Sequence, residues 1–335
     1  MTRSRWADDT GAALVTVLLI VAAMSAIAVA LNHLTLSNAR RAQALETQAQ
    51  LRFYAVSGEE LAEVRIGALV QQLGGALTRA TPGLETPFTL PIEDAIFEIT
   101  LEDASNCFNL NSLISSGPAA AEGGDEETSQ SPANDFRKIA QAAGMVEAEI
   151  RELVAGVVDW IDQDLSSGLG GAEDGYYTQL DPPYRTSGLP LHNLSETRAI
   201  RGFGLDTITR LSPLICVLPP HATEVGRKLN INTLRVDQAE LLVPVLSGAL
   251  EIDAIRQLVA GRPFDGWADL DTFLADPALS AVRPDLIRQD RLGTVSSHVA
   301  ISVRVGYRGQ VMNLSYLYEM MPDRPVSLLR RERIG

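Results

Sequence analysis

The chain has 335 residues, a net charge of −14 and a sequence pI of about 4.8. That length allows one membrane segment and two modest domains, while the acidity excludes broad binding to a phosphate backbone, which needs clustered Lys and Arg. Two cysteines and four histidines exclude a disulfide scaffold, zinc-type cysteine spacing and histidine-rich metal chemistry.

The stretch from Gly11 to Leu31, GAALVTVLLIVAAMSAIAVAL, carries no charge. As a helix, Ala12 to Leu31 would be about 30 Å long, the thickness of a bilayer core. A secretory signal has a shorter apolar core, roughly 7–15 residues, followed by a small-x-small site. VALNHLTLSNA is a poor site of that kind. The helix-forming pattern instead runs on through NARRAQALETQAQLRFYAVSGEELAEVRIGALVQQL. Ala44, Leu51, Tyr54, Ala55, Leu61 and Val64 approximate the spacing of one helix face. We expect one long helix, membrane-embedded at its start and amphipathic later. Arg3 and Arg5 precede the apolar run and Arg40 and Arg41 follow it, so positive charge alone leaves the orientation open.

A glycine directly ahead of a long apolar helix resembles the leader of type IV pilin-like proteins, which a prepilin peptidase cuts after that glycine. The resemblance implies cleavage between Gly11 and Ala12, with residues 1–11 as leader and 12–31 as the transmembrane part of the mature helix. Most such proteins carry Glu at the fifth mature position. There it neutralises the N-terminal ammonium of a neighbouring subunit inside the membrane, where a lone charge is expensive. Here that position is Thr16. One subfamily lacks the glutamate, the K-type minor pseudopilins of type II secretion systems. A subunit at the tip of a fibre has no subunit above it to neutralise.

Next comes TPGLETPFTLP, read as a turn-rich connector, and AIFEITLEDA, whose alternation predicts a half-buried strand. CFNLNSL could continue that strand. The small, acidic ISSGPAAAEGGDEETSQSPAND reads as a flexible loop. From Asp135 to about Asp290 the periodicity turns helical: DFRKIAQAAGM, EAEIRELVAGVVDWIDQD, then two short helices in LSETRAIRGFGLDTITRLSPLI with Ser195 as N-cap, then three or four more. After Asp290, SHVAISVRVGY and VMNLSYLYE alternate as strands around an RGQ turn. The expected architecture is α+β: a long N-terminal helix on an antiparallel sheet, with a large all-α insertion. We expect pilin-like helix and first strands over 32–115, the insertion over 116–290 and returning strands over 291–335.

Asp159, Asp162, Asp164, Glu173, Asp174 and Asp181 crowd DWIDQDLSSGLGGAEDGYYTQLD, with Arg185 close by in sequence. Clustered carboxylates repel unless a cation takes their charge, and Ca²⁺ does so with six to eight oxygens. Asp162 and Asp164 lie where a helix gives way to a loop, and Gly168, Gly170 and Gly171 let the backbone wrap. The spacing is not that of an EF-hand. The residues alone leave two readings, a Ca²⁺ site and a solvated acidic surface. The same stretch, with PPYRTSGLPLHNLSETRAIRGF, CFNLNSL and LNINTL, resembles the K-type pseudopilins over nearly the whole chain. Gly188 stands near where that family usually has Asn, and Thr197 replaces a Leu. Members of the family bind calcium here, so the resemblance implies Ca²⁺ on Asp162, Asp164, Glu173 and Asp174, with Asp159 as a further candidate.

Paired carboxylates can also run hydrolysis, but there is no nucleophile motif, P-loop, dinucleotide fingerprint or H-E-x-x-H, so no catalytic residue is expected. Cys107 and Cys216 are two buried thiols or, in an oxidising compartment, a disulfide. LNINTLRVDQAELLVPVLSGALEIDAIRQLVAGRPFDGWADL resembles a helix-hairpin-helix. Its hairpin holds Glu251 and Asp253 and no Lys or Arg, so a packing module of the sterile-alpha-motif kind is expected and no nucleic-acid partner. The resemblance implies a single-pass inner-membrane protein with a periplasmic soluble part. Its partners would be minor pseudopilins of the I and J types, the major pseudopilin and a prepilin peptidase. An anchored DNA-uptake protein is the alternative.

Overall fold

The structure is a computed structural model that describes residues 9–73, 75–116, 131–219, 228–320 and 327–334. A single helix, α1, runs from Asp9 to Leu73. Its span from Ala13 to Ser57 is long and apolar enough to cross a membrane, and none of its most apolar window is buried in the protein. Further along, Leu51, Tyr54 and Ala55 are buried against a five-stranded sheet.

That sheet is antiparallel throughout, in the order β1 (Phe88–Ile92), β2 (Ala95–Asp103), β7 (His298–Tyr307), β8 (Gln310–Glu319) and β9 (Ser327–Ile334). Phe97, Ile99 and Leu101 on β2 face Val305, Val303 and Ile301 on β7, and these residues form the core under α1. On the other face Arg304 reaches Glu98 at 3.0 Å. Arg308 and Gly309 both take positive φ, the two-residue turn whose twist matches a hairpin.

The chain leaves the sheet after β2 and returns at β7, so the helical part is an insertion in chain order. It holds α2 (Pro132–Ala142), α3 (Glu147–Ile161), α4 (Asp174–Tyr177), α5 (Leu205–Leu211), α6 (Leu242–Val245), α7 (Ile252–Ala260) and α8 (Leu270–Leu274). Two-residue parallel pairs stitch it together: β3 (Phe108–Asn109) with β4 (Ile215–Cys216), and β5 (Leu229–Asn230) with β6 (Leu292–Gly293). The insertion's core already includes Phe108, Leu110 and Leu113 and closes at Leu292.

Several sequence expectations are corrected. CFNLNSL does not extend β2; it forms β3 and then a 3₁₀ turn over Leu110–Ser116. The connector TPGLETPFTLP holds part of β1, an edge strand that accommodates Pro91 because its only neighbour among the described residues is β2. Asn193, not Ser195, caps the 3₁₀ turn Leu194–Ala199: its side chain accepts from Ser195 N at 2.8 Å, and Glu196 reaches back to Asn193 N at 2.7 Å. The expected flexible loop falls for the most part outside the described residues.

A buried polar network joins sheet to insertion. Asp103, at the end of β2, accepts from Ser105 N at 2.8 Å and from the hydroxyls of Ser105, Thr233 and Ser296. Asn106 exchanges hydrogen bonds with the backbone of Asn230 at 3.0 and 2.8 Å. His298 lies in the same network, with Nδ1 2.9 Å from Ser297 Oγ and Nε2 without a hydrogen-bond partner. Burial pushes its imidazole down to about 4. The unfolded chain takes up that proton near pH 6.5, so the contribution of neutral His298 is lost as pH falls from about 6.5 to about 4, at roughly 1.4 kcal/mol per pH unit. Asp103 acts in the opposite sense, because burial raises its carboxyl. The difference between wild-type and His298→Gln stability–pH profiles isolates the histidine; identical slopes over that window would remove it as the cause.

Candidate metal centre

α3 is buried along its whole second half, from Leu153 to Ile161. Its last turn therefore carries Asp159 inward, at 2% exposure. Asp162 is the C-cap, in extended conformation, where the chain turns into the glycine loop. The loop folds back on α3. Gly168 N donates to both oxygens of Asp159 at 3.2 Å, and Ser167 Oγ donates to Oδ2 at 3.3 Å. A Cβ on Gly171 would lie 2.1 Å from Asp159 Oδ2, so only glycine fits against this carboxylate. Glu173 then enters as N-cap of α4, its side chain turned inward at 6% exposure.

Asp159, Asp162 and Glu173 thus converge, with one oxygen from each within 4.8 Å of the others. Burial raises all three carboxyls. For Glu173 the charges of Asp159 and Asp162 add to burial and bring it to about 7. Asp162 Oδ1 and Glu173 Oε1 are buried with no hydrogen-bond donor. Three converging carboxylates, two orphaned oxygens and a cradle that a Cβ would fill suit a hard divalent cation. Oxygen donors without nitrogen or sulfur favour Ca²⁺ over Zn²⁺.

The other two expected ligands lie outside this group. Asp164 is exposed and accepts from Ser166 N at 2.8 Å. Asp174 is held by Arg185 Nη1 at 2.8 Å and by Thr186 N at 3.0 Å. Thr186 Oγ1 lies 3.4 Å from Glu173 Oε2, a contact the acidic spacing did not disclose. Gly188 takes φ +57, a conformation open to Gly and Asn, and its N–H donates to Trp160 O at 3.0 Å. Gly11, Ala12 and Thr16 all lie on α1. Cys107 and Cys216 are joined, with their Cα atoms 5.7 Å apart.

A long N-terminal helix whose distal part packs on an antiparallel sheet, enlarged by a helical insertion, defines the pilin-like α+β class. Two family models described as type II secretion system protein K match residues 106–220 and 229–294. Type II secretion system protein K from Klebsiella pneumoniae is 30% identical over 281 residues, covering 82% of this chain and 83% of that protein. The protein of the same description from Pectobacterium carotovorum is 31% identical, covering 78% and 77%. This chain belongs to the type II secretion system protein K family. Its fold is that of a chain in the crystal structure of the GspK-GspI-GspJ complex from the enterotoxigenic Escherichia coli type 2 secretion system. The TM-score is 0.70 at 24% identity, over 88% of this chain and 99% of that one.

Proposed function

We propose that this minor pseudopilin of type II secretion stands at the tip of a periplasmic pseudopilus, anchored in the inner membrane, and helps start the assembly of the fibre. The observation that carries this is a stripe on α1. Leu31, Leu34, Asn38, Ala42, Leu45, Ala49, Phe53 and Val56 recur at helical period and are all exposed. The stripe lies opposite the face on which Leu51, Tyr54 and Ala55 meet the sheet. A stripe that is apolar except at Asn38 and continues beyond the bilayer-length run is suited to other long helices. The partners are the I- and J-type minor pseudopilins, in line with the three proteins named together in the related complex, and then the major pseudopilin. The insertion is too bulky for the shaft and caps the fibre. Its chemistry is association, without turnover. Leu45→Asp with Phe53→Asp should abolish co-purification of the I and J subunits from detergent extracts while leaving the soluble part folded. Undiminished co-purification would refute the helix-mediated assembly.

A prepilin peptidase prepares the chain by cutting after Gly11, since the apolar run begins there. Gly11→Leu should leave the protein unprocessed. N-terminal sequencing of protein from membranes decides this, and a mature start near residue 40 would sink the reading.

The carboxylate cluster holds Ca²⁺ through Asp159, Asp162 and Glu173, with Asp164 and Asp174 in reserve should the loop close further on the ion. The ion supplies positive charge to groups that otherwise repel. Asp159 receives its loop hydrogen bonds, Asp162 and Glu173 turn their unpaired oxygens inward, and the glycine loop excludes side chains. A ligand that binds only the folded state stabilises it by about 2.7 kcal/mol at a hundredfold excess over Kd. Chelation should lower the melting temperature, and calcium should restore it. Glu173→Ala should erase that calcium response without lowering the metal-free melting temperature, because it also removes repulsion. Melting curves that coincide with and without chelator, in protein first stripped of metal, would identify the loop as a solvated acidic surface.

A further inference from the structure

We propose that Arg201 positions the carboxylate cluster for its cation. The inference rests on the calcium reading above. The three carboxylates come from two elements: Asp159 and Asp162 end α3, and Glu173 begins α4. The segment between them, residues 163–172, is rich in glycine and contains no helix or strand. Something must hold α3, the loop and α4 in fixed relation if the oxygens are to meet at one point.

Arg201 touches all three. Its Nε donates to Glu152 Oε1 on α3 at 2.9 Å. Its Nη1 donates to Gly171 O in the loop at 3.3 Å. Its guanidinium lies 5.1 Å from the ring centroid of Tyr176 on α4. Its backbone N–H donates to Tyr177 Oη, also on α4, at 3.1 Å.

The sequence makes room for this strap. A Cβ on Gly156 of α3 would come within 3.0 Å of Arg201 O. Gly202 takes φ +88, and a Cβ there would lie 3.1 Å from Leu153 Cδ2. The segment around Arg201 therefore lies directly on α3. Gly171, the loop residue that Arg201 grips, is the one that closes on Asp159 Oδ2. A displacement of Gly171 removes the wall against which the Asp159 carboxylate rests.

Charge and position predict opposite signs. A guanidinium near a cation site opposes the ion by Coulomb's law, so if charge were its effect, Arg201→Gln would tighten binding and Arg201→Lys would leave it unchanged. A positioning role predicts weaker binding for both. Glutamine has no charge to pair with Glu152, and lysine is a point charge that cannot span Glu152 and Gly171 with a planar fork.

The experiment uses the full chain in detergent, stripped of metal and titrated with Tb³⁺ excited through Trp160, which lies between Asp159 and Asp162 in sequence. Competition with Ca²⁺ gives the calcium affinity, and Tb³⁺ lifetimes in H₂O and D₂O count the waters on the ion. We expect both variants to bind at least about tenfold more weakly, with more water on the ion and a metal-free melting temperature close to that of the wild type. Unchanged binding in both, or tighter binding in Arg201→Gln, overturns the inference. Weaker binding accompanied by an equal fall in metal-free stability also overturns it, as general structural support. Should Arg201→Gln not fold, Arg201→Lys decides alone. A wild-type chain that binds neither ion fails at an earlier step and removes the calcium reading together with the inference.

Discussion

Replacing Cys107 and Cys216 together by alanine should destabilise the folded chain by about 4–5 kcal/mol. The bond closes a loop with a sequence separation of 109 residues. In the chain-entropy account a cross-link over roughly 100 residues restricts the unfolded chain by about 4.7 kcal/mol. The native strands it ties are too short to hold each other: β3 and β4 pair only Phe108 with Ile215 and Asn109 with Cys216. Flanking side chains assist, since Asn109 Oδ1 accepts from Leu218 N at 3.0 Å and Asn111 Nδ2 donates to Leu218 O at 2.9 Å. These bonds survive the substitution, so the loss should appear mainly through the unfolded chain. A domain of this size should show a melting temperature lowered by on the order of 10–15 °C. Thermal unfolding of Cys107→Ala/Cys216→Ala, at fixed calcium, measures it. A change within about 2 °C would mean that the bond contributes little beyond the surrounding hydrogen bonds. Peptide mapping without reductant tests the pairing itself.

What the sequence disclosed and what it concealed divides along physical lines. β2, β7 and β8 were legible because one face of each is buried and the other wet, which writes a period of two into the residues. α1 was legible from length and apolar content. β9 falls within the returning strands expected over 291–335, but no alternation picks it out, because SLLRRERI holds three arginines and none of its described side chains is buried. Pro91 similarly argues against a strand unless the strand is known to lie at an edge. The two-residue strands carry no period at all. Asparagines instead mark their neighbourhood: Asn106, Asn109, Asn111, Asn230 and Asn232 each bond backbone groups of distant segments. CFNLNSL and LNINTL, two of the stretches behind the family resemblance, hold four of those asparagines, and Asn106 directly precedes the first.

The candidate site was partly legible. Carboxylate density located it, but density does not reveal direction. The last turn of α3 sends Asp159 inward and the C-cap sends Asp162 toward the same point. Asp164, one residue past the next position, faces solvent and closes a local turn on Ser166 N. Asp174 follows Glu173 but satisfies Arg185 and Thr186. The departures from the family pattern have local causes. Gly188 occupies a left-handed position that Asn also tolerates. Thr197 is buried where the family has Leu, and its hydroxyl donates to Leu194 O at 2.7 Å, which removes the cost of burying it. Arg201 had no signal in the spacing, because its partners are far away in sequence.

Asp135→Ala should cost about 3–5 kcal/mol, toward the lower end of that range. Asp135 lies in the first turn of α2, 3% exposed, behind the N-cap Ser131. Its two oxygens accept from Arg288 Nη1 at 2.6 Å and Arg291 Nη1 at 3.1 Å. The triad ties the first helix of the insertion to the segment that leads back to the sheet, where Arg288 N also donates to Val245 O at 2.9 Å. Alanine leaves the Arg288 and Arg291 guanidinium groups packed beside a site that has lost the Asp135 carboxylate, which is the expensive way to break a buried ion pair. The arginine side chains are 16% and 24% exposed, so they can turn partly to water, and this limits the loss. A second variant separates the pair from the charge left behind. Asp135→Leu with Arg288→Met replaces part of the network by apolar side chains, which often restores stability. The double variant should therefore be more stable than the sum of its two single changes by roughly 1–3 kcal/mol. Urea unfolding of the two singles and the double completes the cycle. Additive effects, or an Asp135→Ala loss below about 1 kcal/mol, would mean that the triad is only a surface ion pair and that the return segment is held by apolar contacts such as Leu292.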